Sequence, residues 1–449
     1  MAPAKAPRGA KPAPAAPQSL PAKTFIIDNG AYTMKAGYAS TSSEDTPSDP
    51  LAPCSIIPNA LVKARDKRVY VGAQLNTHIT DWNEANFRRP VEKGYIVSWE
   101  AQREIWEHSF FDEKVPRRPE VRCAEPGDTT LILTEAPNAM AALQKNADEI
   151  IMEEWGFGGY LRCIVAKDGG PSASPVECLL VVDSGYSHTT ITPVYRGRPL
   201  QRAIRRLEIG GKFLTNYLKE LISIRRYNVL DETYVMNGVK EAVSYVSNDF
   251  EGDLERVKQG NKTGGRDGAV DGIVVDYVLP DPNAGTKGFM RPHDPLLAAK
   301  KRKDLLSGPR PSVSEELLVL GNERFAVPEV LFRPDDVGMK QPGIPEAIMQ
   351  SLSTLPTGLH PAFLANVLVV GGNALIPGLV ERLESELRQL ASVECVVRVR
   401  RAPDPVRSTW LGASRLAANR DALQEIAITR QQYQEYGSAW VGKRFSGVV

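Results

Sequence analysis

The stretch LLVVDSGYSHTT, from Leu179 to Thr190, decides how this chain is read. An apolar run ends in Asp183, Ser184 and Gly185, as a buried strand does before a phosphate-holding turn, yet the next residue is the bulky Tyr186. About 155 positions earlier FIIDNGAYTMKAG repeats the design with Asp28, Asn29 and Gly30. Two copies of one strand-turn unit imply an internally duplicated fold with a cleft between its halves. A third apolar run, NVLVVGGNALIPG, closes on Gly371 and Gly372 and supplies a turn wide enough to admit a flat base. The chemistry suits a polyphosphate. Glycine lets backbone N–H groups approach phosphate oxygens, and an aspartate at a strand end can hold a hydrated divalent cation.

Around these turns, short β-rich runs such as LILTEAP alternate with amphipathic stretches, which places the chain in the α/β class. In PGLVERLESELRQL, Leu379, Leu383, Leu387 and Leu390 recur at helical spacing. Residues 1–23 are Pro/Ala-rich and basic, and are expected to form a disordered tail. Residues 251–313 are dominated by Gly, Pro and clustered charge, and are expected to be a partly flexible insertion. Within it Lys300, Lys301, Arg302 and Lys303 form a basic run, read as a solvated face, with a nuclear import or acidic-partner signal as the alternative.

The 449 residues are 42% hydrophobic and 24% charged, ordinary for a globular protein of two or three domains. Lys+Arg 55 against Asp+Glu 54 gives a net charge of +1, so the whole molecule has no bias toward nucleic acid or membrane. Any such contact must be a local patch. Five scattered cysteines with no C-x-x-C pair argue against a disulfide framework or a zinc site. No run approaches ~18 apolar residues, so a soluble intracellular protein is expected.

With these turns in place the chain resembles actin and the actin-related proteins, from about Thr24 to Gly447. Further matches are LTEAP, YIVSWEAQREIWEHSFF, GGKFLTNYLKEL, VKEAVSYV, TWLGASRLAA and ITRQQYQEYG. Within that family it is most similar to the actin-related protein 6 subfamily, through RRPVEKGYIVSWEAQREIW, DSGYS, VDYVLPD and NERFAVPEVLFRPDDVGMKQPGI. The resemblance implies an α/β, actin-like two-lobed fold of four subdomains. The first lobe would span 24–175, completed by 406–449, and the second 176–405.

It also implies a nucleotide-contacting set. Asp28, Gly30, Lys35, Asp183, Gly185, Gly211, Lys240, Glu241 and Gly372 agree with actin's pattern, with Gly371 beside them. Asp28 and Asp183 would hold a metal through water if nucleotide is bound. Lys35 would meet phosphate, and Lys240 with Glu241 would border base and ribose, unless they are simply an exposed helix pair. The departures fall on the reactive end. Ala31-Tyr32 replaces actin's Ser-Gly, Tyr186 replaces an acid that arranges metal and water, Ser187 replaces a glycine, and Thr190 stands where actin has a histidine. Actin's water-orienting glutamine falls near Val165. His188 comes two places early for actin's pattern and is read as a strand-borne residue satisfying local hydrogen bonds.

Each lost group costs on the order of 10²-fold in phosphoryl transfer to water, so negligible ATPase activity is expected. Two states of the cleft stay open: ATP held as a structural ligand, or a cleft filled by tyrosines. The expected function is a non-catalytic scaffold subunit of a SWR-type chromatin-remodelling complex that exchanges a variant histone into nucleosomes, in the nucleus and also the cytoplasm. Its partners would be other subunits of that complex, with nucleosome or DNA contact through the basic segments, no membrane and no homo-filament. The alternatives are an active actin-like ATPase or phosphotransferase and a filament-forming cytoskeletal relative.

Overall fold

The computed structural model describes residues 19–39, 53–79, 82, 85–115, 121–137, 139–164, 176–225, 228–262, 272–280, 288–294 and 317–446. Two sheets organise them. The first has the order β20 (Ile428–Thr429), β10 (Gly159–Cys163), β9 (Thr129–Thr134), β1 (Lys23–Asn29), β2 (Thr33–Tyr38), β3 (Ser55–Pro58). The second runs β13 (Arg198–Pro199), β12 (Thr189–Tyr195), β11 (Cys178–Ser184), β18 (Val367–Val370), β19 (Val399–Arg401), with β14 (Arg205–Leu207) also on β12.

The duplication is visible in the register. β1 pairs antiparallel with β2 and parallel with β9, setting Asp28 opposite Lys35 and Thr134. β11 pairs antiparallel with β12 and parallel with β18, setting Asp183 opposite Thr190 and Val370. Each acid thus ends the central strand of its own sheet. The strands read as continuous apolar runs because helices cover both faces, and parallel pairing demands such cover.

Each sheet has its own core. Phe25, Ile27, Leu131, Leu161 and Trp106 pack with Trp410, Leu423, Tyr433 and Phe445, so the C-terminal helices Ser408–Ala418, Arg420–Ile426 and Arg430–Ser446 complete the first lobe. Leu180, Val182, Leu214, Met236, Leu318 and Leu383 belong to the second. A small sheet of β4 (Leu61–Lys63), β5 (Val69–Val71) and β6 (Asn86–Arg88) stands above the first lobe, and a hairpin, β7 (Val91–Glu92) and β8 (Tyr95–Ile96), follows it.

Two expected boundaries are corrected. Leu20 is buried in the first core, and Arg420 donates to the carbonyls of Leu20, Pro21 and Ala22, so the fold begins before Thr24. The remainder of the expected tail, residues 1–18, lies outside the described residues. The stretch expected to be a partly flexible insertion opens inside the helix Phe250–Lys262, which buries Val257 against Phe325 and Ile273. It also supplies β15 (Val275–Val278) and β16 (Phe289–Pro292), which join β17 (Leu317–Leu320) in an antiparallel sheet. The basic run 300–303 lies outside the described residues. All five cysteines are buried and none is in a disulfide. Among the described residues no helix is long and apolar enough to cross a membrane, and no group of three or more His, Cys, Asp or Glu side chains could hold a metal ion.

Candidate functional site

The ends of β1, β11 and β18 meet in a cleft whose cavity measures about 540 Å³, and Asp28, Gly30, Lys35, Asp183, Gly185, Gly211, Lys240, Glu241, Gly371 and Gly372 all line it. The residues singled out in the sequence are therefore brought together. Their internal bonding, however, differs from an open phosphate cradle.

In the first turn Asp28 accepts from Thr134 Oγ1 at 2.7 Å and pairs with Lys35 Nζ at 3.4 Å. In the second, the Asp183 carboxyl is pushed up to about 6, chiefly by burial and then by the nearby Asp28 charge, with Lys35 opposing. The third turn is pressed onto the second. Gly371 has φ +89°, and a Cβ there would lie 2.3 Å from the Ser184 carbonyl oxygen, so only glycine permits the approach. Asn373 Nδ2 then donates to Ser184 Oγ and the Gly185 carbonyl, both at 3.0 Å.

Four of the glycine amides at the turns bond the protein's own backbone. Gly30 N–H bonds the Asp28 carbonyl, Gly185 N–H that of His188, Gly211 N–H that of Gly185, and Gly371 N–H that of Pro405. The helix Gly211–Arg225 also donates its Lys212 amide to the Tyr186 carbonyl, so its N-terminus is turned to the protein's own backbone.

Lys240 is not part of an exposed pair. It is 5% exposed, and its ammonium donates to Gly211 O, Thr215 Oγ1 and Asn237 Oδ1 at 3.1, 3.1 and 2.9 Å. Burial lowers it to about 8. All three of its donors are thus consumed in holding two helices together. Glu241 is exposed and accepts from Asn237 Nδ2 at 2.7 Å.

Tyr32 and Tyr186 meet across the gap between the first two turns, with ring centroids 4.8 Å apart. Arg89 lies over both, 4.7 Å from the Tyr32 centroid and 5.4 Å from that of Tyr186, and donates to the Tyr32 carbonyl at 3.3 Å. The Tyr32 hydroxyl accepts from Asn237 Nδ2 at 3.1 Å. Burial raises both phenols above their ordinary value, so they stay neutral. The two rings in contact stand between the first two turns, where the resemblance implies phosphate, and four of the glycine amides there bond the protein's own backbone. Val165, expected opposite the attacking water, lies outside the described residues.

His188 requires a correction. It sits in the turn before β12, and its ring presses on Gly94 of the β7–β8 hairpin, where a Cβ would come within 2.3 Å. Its Nδ1 has no hydrogen-bond partner among the described residues, and burial lowers it to about 4. Beside it Arg206 donates to the Tyr95 hydroxyl at 3.1 Å and the Lys93 carbonyl at 2.6 Å, a second bridge between the lobes. Arg89 and Tyr95 lie in the RRPVEKGYIVSWEAQREIW match without a role assigned there, Asn237 and Arg206 lie in no quoted motif, and only their meeting in three dimensions marks them.

Comparison with known proteins agrees with this geometry. The actin family profile matches residues 19–446. "Actin-like protein arp6" of Aspergillus fumigatus is 66% identical over 96% of each chain. "Actin-related protein 6" of Neurospora crassa is 44% identical over 98% of this chain and 97% of its own. "Actin-related protein 6" of Arabidopsis thaliana is 32% identical over 94% and 98%. With its duplicated sheets, its three facing turns and these matches along almost its whole length, the chain belongs to the actin family, as an actin-related protein of the actin-related protein 6 kind.

Proposed function

We propose that this protein is a non-catalytic scaffold subunit of a SWR-type chromatin-remodelling complex, working in the nucleus to exchange a variant histone into nucleosomes. The observation that carries the non-catalytic part is the contact of Tyr32 with Tyr186 at the junction of the first two turns. Hydrolysis needs a placed water, a neutralised polyphosphate and donors aimed at the developing charge. The turns offer rings and engaged amides where those groups belong. The assembly part rests on the actin-related protein 6 resemblance of segments such as RRPVEKGYIVSWEAQREIW and NERFAVPEVLFRPDDVGMKQPGI. Mg-ATP, if it enters the cavity, is a ligand there and not a substrate.

Turnover of Mg-ATP by the purified chain is the direct test, and release of phosphate at background is the expected result. Actin-like hydrolysis that disappears in Asp183→Ala would overturn the reading. Native mass spectrometry of the endogenous assembly tests the scaffold part: a heteromer with chromatin-remodelling subunits is expected, and recovery as a homopolymer would contradict it.

A further inference from the structure

We propose that the lobes are held closed by a latch of the protein's own side chains across the mouth of the cleft, so that closure does not require nucleotide. The latch goes beyond the scaffold reading and stands or falls separately from it.

Its outer part is a stack. Trp82, which precedes β6, lies on Tyr234 of the helix Thr233–Val243, with centroids 3.7 Å apart and planes inclined by 17°. Phe87 of β6 continues it, 5.8 Å from Tyr234 and 10° from the plane of Trp82. Its inner part is the Arg89 guanidinium, 5.4 Å from Phe87 and above both Tyr32 and Tyr186. Trp82, Phe87, Arg89 and Tyr32 come from the first lobe and the small sheet above it. Tyr186, Tyr234 and Asn237 come from the second.

Aromatic rings bury large areas and gain further from offset stacking and from a cation over their faces. Asn237 adds directionality, donating both to the Tyr32 hydroxyl and to Glu241 of its own helix. A ligand shifts an open–closed equilibrium only by its differential affinity for the two states. Where side chains already bridge the lobes, a nucleotide adds little to closure. The Arg206 and His188 contacts with the β7–β8 hairpin continue the bridge from the segment just after Arg89 to the turn that carries Tyr186.

Hydrogen exchange of the full chain, with and without millimolar Mg-ATP, reads the latch through peptides covering 28–33 and 183–190. In the natural sequence these peptides are expected to be protected already without nucleotide and to change less than about twofold when it is added. Trp82→Ala and Tyr234→Ala, both outside the three turns, are expected to speed their exchange about tenfold. Protection of the natural sequence that appears only with Mg-ATP overturns the proposal, as does exchange at the natural rate in both variants. Should either variant fail to fold, Tyr234→Leu retains bulk while removing the stack, and the nucleotide comparison on the natural sequence decides by itself. Phosphate release measured on the same samples separates the two readings. Hydrolysis with a nucleotide-independent closed cleft removes only the non-catalytic reading, and nucleotide-dependent closure without hydrolysis removes only the latch.

Discussion

At the scale of single residues, Asp183 and His188 titrate in opposite senses. The Asp183 carboxyl stands near 6 in the folded chain against an ordinary 3.8, because burial and Asp28 disfavour its charge. Its ionisation therefore opposes folding, fully so above pH 6, and the penalty fades as pH falls through 6 toward 3.8. Asp183→Asn is expected to stabilise the protein at pH 7.5 by about 1–3 kcal/mol in urea unfolding, with the gain vanishing near pH 4. Destabilisation at pH 7.5 would mean that the carboxylate has a partner which outweighs its burial. His188, lowered from 6.5 to about 4, contributes stability that is present above its ordinary value and is lost as pH falls from 6.5 through 4. Both acids of the cleft were legible because each closes an apolar run. The partner of His188 was not, because Gly94 lies on a distant hairpin.

At the scale of elements, β9, β10 and the helix Ala141–Glu149 are joined by Arg162. Its guanidinium reaches Glu135 at 2.8 Å and Asp148 at 3.0 Å, and Tyr160 donates to Asp148 at 3.0 Å. The Arg162 side chain is 4% exposed and that of Asp148 1%, and burial pushes both carboxyls up in spite of the arginine. Arg162→Ala strands Asp148 in the core and leaves Glu135 without its cation at the cavity wall, and is expected to cost about 3–5 kcal/mol by denaturant unfolding. A loss under ~1 kcal/mol would show that water reaches the acids once the arginine is gone. Elements with a clear period were readable from sequence: Leu379, Leu383 and Leu387 are buried as their spacing implies. Leu390 shares the stripe but is 47% exposed, at the last residue of its helix, where it passes the end of the core. β15 and β16 were hidden because glycine, proline and charge surround them, and a strand of four residues leaves too short a pattern to outweigh its flanks.

At the scale of the molecule, two cores depend on different parts of the chain. Trp410, Leu423, Tyr433 and Phe445 complete the first, while the second is closed within 178–399. Truncation after Arg407 is expected to strip exchange protection from β9 and β10 and leave it on β11 and β18. Equal loss in both sheets would mean that the lobes fold as one unit. The C-terminal match TWLGASRLAA was legible as a segment of the family, and its burial of Trp410 against β1 and β9 is a contact spanning most of the chain. Such a contact leaves no local trace, because periodicity reports only that a face is buried and not against what.

By itself the sequence determined the α/β class, the duplication and the three turns, because an acid or glycine closing an apolar run is a local signal set by backbone sterics and strand burial. It also placed tyrosines where phosphate would approach. Only the tertiary structure decided that the two rings touch, that Arg89 covers them and that Lys240 is turned inward. Those outcomes depend on side chains from segments far apart in sequence meeting at a few ångströms, a distance that spacing along the chain does not encode.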